Sequence, residues 1–187
     1  MVVASQLKAG MAVRLEGQMW KVIAAEHHSG QGKMGGVTHA RLQNLETGAF
    51  KDHGFRADLK LEDVILDRVP HDFLYRDGTN CVFMNPDTYE QAEIPAAMLG
   101  PQEKLLVEGM RVSVELVEGE PVSVLFPDFI EVAVDDTAPP AHGQQDTTWK
   151  EARLSNGVVV MVPQFIKIGD LIRVDVARMS YMDRVKA

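Results

Sequence analysis

The feature that most constrains the fold is a pattern that occurs three times: a glycine followed by alternating apolar and polar residues. It reads LKAGMAVRLEGQMWKVI at residues 7–23, LVEGMRVSVELVEGEPVSVLF at residues 106–126 and IKIGDLIRVDV at residues 166–176. Alternation with a period of two places every second side chain on one face of a strand, as in a strand that is buried on one side. A Glu-Gly step in the first two copies indicates a tight turn between two strands.

Three such units along the chain predict an all-β protein built from three consecutive small barrels. We place the three domains at residues 1–65, 66–129 and 130–187. The copies differ too much for the uniform stacking of a solenoid protein. The sequence therefore favours separate barrels, each with its own core.

Three local segments depart from the strand pattern. In NPDTYEQ (85–91), Asn85 is a candidate helix cap and Pro86 suits the first helical position. The segments IPAAMLG and PQEKLL predict one or two helical turns each. The acidic, proline-rich residues 134–149 are either a linker or an exposed loop of the third domain. We favour the loop, because FIEVAV just before it is typical of that domain's first strand.

Composition excludes several classes of protein. No apolar run has the length of about 18 residues that a membrane span requires, and the N-terminus lacks the apolar core of a signal peptide. We therefore expect a cytoplasmic protein that does not enter a membrane. The one cysteine, Cys81, permits neither an intrachain disulfide nor a Cys-x-x-Cys site. It lies in the apolar run NCVFM, which predicts a buried side chain.

The charge distribution argues against general nucleic-acid binding. The net charge is −8, but residues 1–56 carry +3, which leaves −11 on the rest of the chain. An acidic body with a mildly basic N-terminal part predicts that any nucleic acid is contacted at particular places. Chance is the alternative explanation of this asymmetry.

The segment HHSGQGKMGGV, residues 27–37, contains the Gly-x-Gly-x-x-Gly spacing of a dinucleotide-binding loop. That motif needs a strand before it and a helix after it. The strand MWKVIAAE is present, but GVTHARLQNLETG alternates and shows no helical stripe. The spacing also fails to match a phosphate-binding P-loop. The segment is therefore not predicted to hold a nucleotide.

A hairpin loop fits the same segment better. Strands at 19–26 and 37–45 leave about ten residues between them, which would carry Lys33 to the tip of a projecting loop. Glycine lets the backbone approach a partner closely, and the loop has four: Gly30, Gly32, Gly35 and Gly36. The alternative is a flexible surface loop with an incidental lysine.

The residues around this loop predict neither a metal site nor a catalytic one. His27 and His28 are adjacent on one strand and so point to opposite faces, and no acidic partner stands at ligand spacing from them or from His39. A Schiff-base enzyme would need a desolvated lysine, whereas a glycine-rich tip leaves Lys33 in water. We expect no catalytic residue, no metal and no cofactor.

Several long stretches make the chain resemble the elongation factor P family, which is related to the eukaryotic and archaeal initiation factor five-A. They are LKAGMAVRLEGQMWKV, ARLQNLETG, FLYRDGTNCVFMNPDTYEQ and ARLSNGVVVMVPQFIKIGDLIRVDVARMSYMDRV, and the likeness covers essentially the whole chain. The resemblance implies a KOW/SH3-like barrel followed by two OB-type barrels, in an L-shaped arrangement similar to transfer RNA.

The resemblance also implies a function. Family members bind the 70S ribosome between the peptidyl and exit tRNA sites, steady the peptidyl-tRNA and relieve stalling at consecutive prolines. The family's loop-tip lysine, often in Pro-Gly-Lys-Gly, matches Lys33, which here is followed by Met34. In many members a modifying enzyme extends that lysine covalently, and the residue reaches the peptidyl-transferase centre. Partners are then peptidyl-tRNA, ribosomal RNA and a lysine-modifying enzyme, with the factor acting as a monomer.

In the C-terminal part, Tyr181 and Arg184 match a tyrosine and an arginine that family members use to contact tRNA or the ribosome. The alternative is that Tyr181 packs on the last strand and Arg184 is solvated. An exit-site loop motif of the family is matched loosely by Gly143, Asp146 and Thr147. Two other identities stay open: a divergent elongation factor P-like paralogue, and a generic KOW/OB RNA-binding module.

Overall fold

Antiparallel β-strands in three sheets make up most of the computed structural model, which describes residues 1–30, 35–141 and 148–186. The first sheet contains β1 (Val2–Val3), β2 (Ala12–Leu15), β3 (Gln18–His28), β4 (Val37–Asn44), β5 (Phe50–Arg56) and β6 (Lys60–Val64). The second contains β7 (Asp67–Asp77), β8 (Asn80–Met84), β9 (Gln91–Pro95), β10 (Arg111–Val117) and β11 (Glu120–Leu125). The third contains β12 (Phe129–Thr137), β13 (Trp149–Leu154), β14 (Val159–Pro163), β15 (Leu171–Asp175) and β16 (Ser180–Arg184).

Each sheet curls towards a small barrel. The strand orders are β1-β6-β2-β3-β4-β5, β11-β10-β7-β8-β9 and β14-β13-β12-β15-β16. In the second sheet β9 lies against β11, and in the third β14 lies against β16, so the outer strands approach each other. Each sheet encloses its own cluster of buried apolar side chains. The prediction of an all-β chain with three consecutive small barrels is confirmed.

The repeated glycine marks the same turn in all three sheets. Gly10, Gly109 and Gly169 have φ angles of 89°, 81° and 87°. Residues with a Cβ atom rarely adopt this backbone conformation. In each copy the residue after the glycine donates its N–H to the carbonyl three positions earlier, over 3.2, 2.9 and 3.1 Å. The turn then leads into β2, β10 or β15, which supplies buried side chains to its core: Val13, Val112 and Val114, or Ile172 and Val174.

The Glu-Gly steps form the two-residue turns of two β-hairpins. Glu16 and Gly17 connect β2 to β3 with φ angles of 53° and 81°, and Glu118 and Gly119 connect β10 to β11 with 51° and 85°. Positive φ at both central residues is the geometry of a type I′ turn, whose twist matches that of the flanking strands. The tight turns predicted at these steps are therefore present.

Helical structure in the described residues is short. It consists of α1 (Ala96–Leu99) and two 3₁₀ segments, Ala4–Gln6 and Gly100–Leu105. The expected helix start at Asn85 is wrong: the Asn85 side-chain oxygen instead accepts a hydrogen bond from the Asp87 N–H at 2.9 Å, which closes a turn. None of the described helices is long and apolar enough to cross a membrane.

The acidic, proline-rich segment is a connection within the third domain, as predicted, but it is shorter than residues 134–149, because β12 continues to Thr137. It joins β12 to β13, and these strands pair with each other in the third sheet. Cys81 is fully buried in the second core, and burial raises the pKa of its thiol above the ordinary value. The prediction of a buried cysteine is thus confirmed.

Candidate functional site

The β3–β4 hairpin carries the glycine-rich segment. The two strands pair from Trp20 opposite Asn44 to His28 opposite Val37, and residues 29–36 connect them. The connection is two residues shorter than the sequence predicted, because β3 continues to His28. Residues 31–34 lie outside the described residues, and with them Gly32 and Lys33.

The outer part of the hairpin extends beyond the core of the first sheet. Trp20, Val22 and Leu42 are buried near its base, whereas His28 and Val37 at its outer end are exposed. β5 pairs with β4 over nearly the whole length of β4, and at the outer end Arg56 lies opposite Val37. A three-stranded support therefore holds the ends of the connection that contains Lys33.

Gly36 is the last residue of the connection. Its backbone lies against the end of β3 on one side and against Ala57, just after β5, on the other. A Cβ atom at this position would lie 2.8 Å from the His28 carbonyl oxygen and 2.9 Å from the His27 ring. The Gly36 carbonyl accepts a hydrogen bond from the Ala57 N–H at 2.8 Å. By contrast, a Cβ atom on Gly35 would meet none of the residues that the structure describes within 4 Å. Close backbone approach therefore requires glycine at residue 36, while Gly30 and Gly35 are exposed.

The histidines of the hairpin make local contacts. The His28 and His39 ring centroids are 5.6 Å apart with the rings edge to face, and His28 Nε2 lies 3.8 Å from a Glu26 carboxylate oxygen. His27 Nδ1 lies 3.2 Å from the Thr38 hydroxyl. Within the described ranges, no three histidine, cysteine or acidic side chains are arranged to hold a metal ion.

Tyr181 and Arg184 lie on β16 and point to the same side of the third sheet. Their cross-strand partners on β15, Val174 and Ile172, are both buried in the third core. Tyr181 is half-buried, packs against that core, and meets Trp149 edge to face with 5.9 Å between ring centroids. Burial raises the pKa of Tyr181, and the Asp183 carboxylate adds to the increase.

Arg184 is held by an aromatic ring and a carboxylate. Its guanidinium carbon lies 5.4 Å from the centre of the Phe165 ring, and Nη1 lies 3.8 Å from an Asp170 oxygen. The arginine side chain is 45% exposed, and Trp149 and Phe165 are 51% and 52% exposed. The pair is therefore packed, but it keeps accessible faces beside two exposed aromatic rings.

Trp149 and Phe165 are two surface residues that the sequence motifs did not identify. Trp149 occupies an outward position of an alternating strand, since Lys150, Ala152 and Leu154 are buried and the intervening residues are exposed. A tryptophan at such a position is the signal that could have identified it. The loosely matched motif residues Gly143, Asp146 and Thr147 lie outside the described residues.

Comparison with known proteins identifies all three parts of the chain. Sequence models match residues 3–61 as an elongation factor P (EF-P) KOW-like domain and residues 66–124 as an elongation factor P (EF-P) OB domain. A third model, elongation factor P, C-terminal, matches residues 130–184.

Full-length relatives agree with the domain models. Elongation factor P of Acidobacterium capsulatum is 34% identical over 182 residues, covering 97% of both chains. That of Streptococcus pyogenes serotype M49 is 35% identical over 185 residues, covering 98% of this chain and all of its own. Among solved structures, eukaryotic translation initiation factor 5A from Methanococcus jannaschii superposes with a TM-score of 0.47 at 22% identity, over 66% of this chain and 92% of its own. With its three parts in the order of its relatives, the chain belongs to the elongation factor P family.

Proposed function

We propose that this protein binds the ribosome between the peptidyl and exit tRNA sites and stimulates peptide-bond formation at consecutive prolines. In this proposal Lys33 reaches towards the peptidyl-transferase centre and contacts the peptidyl-tRNA. The observation that carries the proposal is the match of the whole chain, in three consecutive parts, to one family of translation factors. The supported β3–β4 hairpin favours the same role, because it gives the connection bearing Lys33 a firm base.

The proposed chemistry is positioning. Proline is a rigid, poor substrate for peptide transfer, and correct orientation of reacting groups contributes up to about 7–11 kcal/mol in favourable cases. A lysine can place a cation beside RNA phosphates without transferring a proton. The factor then needs neither a catalytic residue nor a cofactor, and covalent extension of Lys33 by a modifying enzyme would lengthen its reach.

The third sheet supplies a second proposed contact. Tyr181 and Arg184 would contact tRNA or ribosomal RNA, since an aromatic ring stacks on bases and a guanidinium binds phosphate. Trp149 and Phe165 extend this surface, because both rings are half-exposed and touch the pair. Contacts at particular places agree with a chain whose net charge is −8.

Several expectations belong to the same proposal. The factor acts as a monomer in the cytoplasm, where ribosomes are found. Its domains are residues 1–65, 66–129 and 130–187, and their L-shaped arrangement resembles tRNA. The sheets span residues 2–64, 67–125 and 129–184, and each sheet lies inside the bounds of its domain to within one residue.

Ribosome-dependent rescue separates this proposal from a generic KOW/OB RNA-binding module. In reconstituted translation, the factor should increase synthesis through a Pro-Pro-Pro reporter and have little effect on a reporter without prolines. Equal yields from the Pro-Pro-Pro reporter with and without the factor would support the RNA-binding module instead. Rescue of other stalling sequences, but not of prolines, would indicate a divergent paralogue.

A further inference from the structure

Glu115 is a charged residue on the outer face of the second sheet that is nevertheless completely buried. It follows Val114, which belongs to the second core, so its side chain points the opposite way. On that outer face it lies between Arg68 of β7 and Ser123 of β11, its cross-strand partners on either side. Its exposure is 0%. A side chain on the outer face of a sheet is completely buried only where another part of the molecule covers that face.

The cover comes from the first sheet. The Lys21 ammonium, on β3, forms an ion pair with the Glu115 carboxylate and donates to the Ser123 hydroxyl at 3.3 Å. The Ser123 hydroxyl donates to Glu115 at 3.0 Å, and Arg68 Nε donates to the other carboxylate oxygen at 3.1 Å. Arg68 also donates to the Gly10 carbonyl at 3.2 Å, so it bridges the two sheets as well.

A second contact lies directly beside the first. Gln43 on β4 is the cross-strand partner of Lys21 on β3. Its buried side-chain amide donates to the Met98 carbonyl of α1 at 3.3 Å. Two neighbouring strands of the hairpin are therefore each bound to the second domain, at the same level along the strands.

We infer that Lys21, Gln43 and Glu115 form a clamp that fixes the direction of the β3–β4 hairpin relative to the second domain. One contact would leave the hairpin free to pivot, whereas two adjacent contacts on different strands resist rotation. The inference rests on the proposed function in one respect: the clamp matters for translation because the connection that contains Lys33 joins the outer ends of these strands. The three residues are positioning residues and do not touch the RNA.

Because the ion pair is buried, the effect of a substitution on the clamp depends on whether one charge or both are removed. Removing the charge of Glu115 leaves the Lys21 ammonium buried without its partner, which is more disruptive than replacing both residues by apolar ones. Glu115→Gln should therefore loosen the two domains. The double variant Lys21→Met with Glu115→Leu should retain more of the native arrangement than the single variant does.

The direct test measures distances between spin labels by pulsed electron paramagnetic resonance on the free, full-length factor. One label pair, Ser29→Cys with Glu93→Cys, joins the hairpin to the second sheet. A control pair, Ser29→Cys with Lys60→Cys, lies within the first domain. Cys81 stays in place, since it is fully buried. The inference predicts that Glu115→Gln broadens the interdomain distance distribution and leaves the control distribution unchanged.

Gln43→Ala provides a second test that leaves no buried charge unpaired, in case Glu115→Gln does not fold. It should broaden the interdomain distribution in the same way. Glu131→Gln, which removes an exposed ion pair with Arg173 in the third sheet, is the matched control and should change neither distribution. Unchanged interdomain distributions in both clamp variants, or in the foldable one, would overturn the inference.

The functional test uses the Pro-Pro-Pro reporter. Misplacement of a positioned group by about 1 Å can reduce a rate roughly 100-fold, so Glu115→Gln should reduce the factor's stimulation about tenfold or more. Lys21→Met with Glu115→Leu should recover part of it. A broadened distribution with wild-type stimulation would refute the positioning role. Absence of stimulation by the wild-type factor would instead refute the proposed function. In that case the distance distributions alone would test whether the clamp fixes the hairpin.

Discussion

Gly36 is a residue where close backbone packing limits which amino acid is tolerated. A methyl group there would stand 2.8 Å from the His28 carbonyl oxygen, which is backbone and cannot turn aside. We predict that Gly36→Ala destabilises the protein by about 1–3 kcal/mol, the usual range for a forced backbone shift. Thermal or urea unfolding measures this directly.

Gly35→Ala is the matched control for that substitution. A methyl group at residue 35 would contact no residue of the described ranges within 4 Å, so the free energy of unfolding should change by no more than about 0.5 kcal/mol. Equal stability of the two variants would mean that the outer end of the hairpin adapts to a side chain at residue 36. Glycine at residue 36 would then have no packing role.

Tyr181 and Arg184 allow a second prediction for individual residues. The variant Tyr181→Ala with Arg184→Ala should weaken ribosome binding in a co-sedimentation assay while the three barrels stay folded. Arg184→Ala alone should change stability little, because its ion pair with Asp170 is long and partly exposed. If the double variant unfolds and its folded fraction binds normally, the pair has a packing role in place of a binding one.

Trp149→Ala distinguishes the extended surface from the pair alone. Half of the indole is exposed, so its removal should cost little stability, but it should weaken ribosome binding in the same direction as the double variant. Val159→Ala, an exposed apolar residue on the adjacent strand β14, is the control. Equal binding by Trp149→Ala and wild type would confine the contact to Tyr181 and Arg184.

At the scale of the element, the two-residue turns offer a test of why the strands pair as they do. Glu118 holds φ at 51°, which a glutamate adopts at a cost and an asparagine adopts more readily. Asn-Gly is the preferred sequence of a type I′ turn. We predict that Glu118→Asn stabilises the protein by about 0.5 kcal/mol or more, within the range of such turn improvements.

Unfolding in urea measures that gain, and Glu120→Asn, just outside the turn, serves as the control. A loss of stability in Glu118→Asn would show that the glutamate makes a compensating contact.

The strands and turns differ in how well the sequence predicts them. The alternating strands and the Glu-Gly turns were predictable because both depend on residues close together in the chain. The helix start at Asn85 was predicted wrongly, because an asparagine side chain can close a turn as readily as it caps a helix. The length of β3 was underestimated at its end, because His27 and His28 are exposed and carry no apolar alternation.

At the scale of the whole molecule, the sequence predicts each barrel but not how the barrels meet. Glu115 continues the alternation of β10 on its outer face, where a carboxylate is ordinarily solvated. Its burial depends on Lys21, which is 94 residues away in the chain, and no local pattern records that contact. The same holds for Trp149 and Tyr181, which come together only when the third sheet closes.

The β content of the whole molecule can be checked without labels. Circular dichroism should show predominantly β-structure, because the described helical elements are only three to six residues long. Helix above about a third of the chain, the average of ordinary globular proteins, would contradict the three-barrel architecture.

Reconstituted translation with wild-type and Lys33→Ala factor, each purified from the native host, measures whether Lys33 acts in peptide-bond formation. Lys8→Ala, another lysine of the first domain and exposed in the structure, is the control. Wild type and Lys8→Ala should raise synthesis through Pro-Pro-Pro alike, and Lys33→Ala should lose most of that increase. All three should unfold within about 0.5 kcal/mol of one another. Equal stimulation by Lys33→Ala and wild type would contradict the account, because the hairpin would then carry no functional lysine.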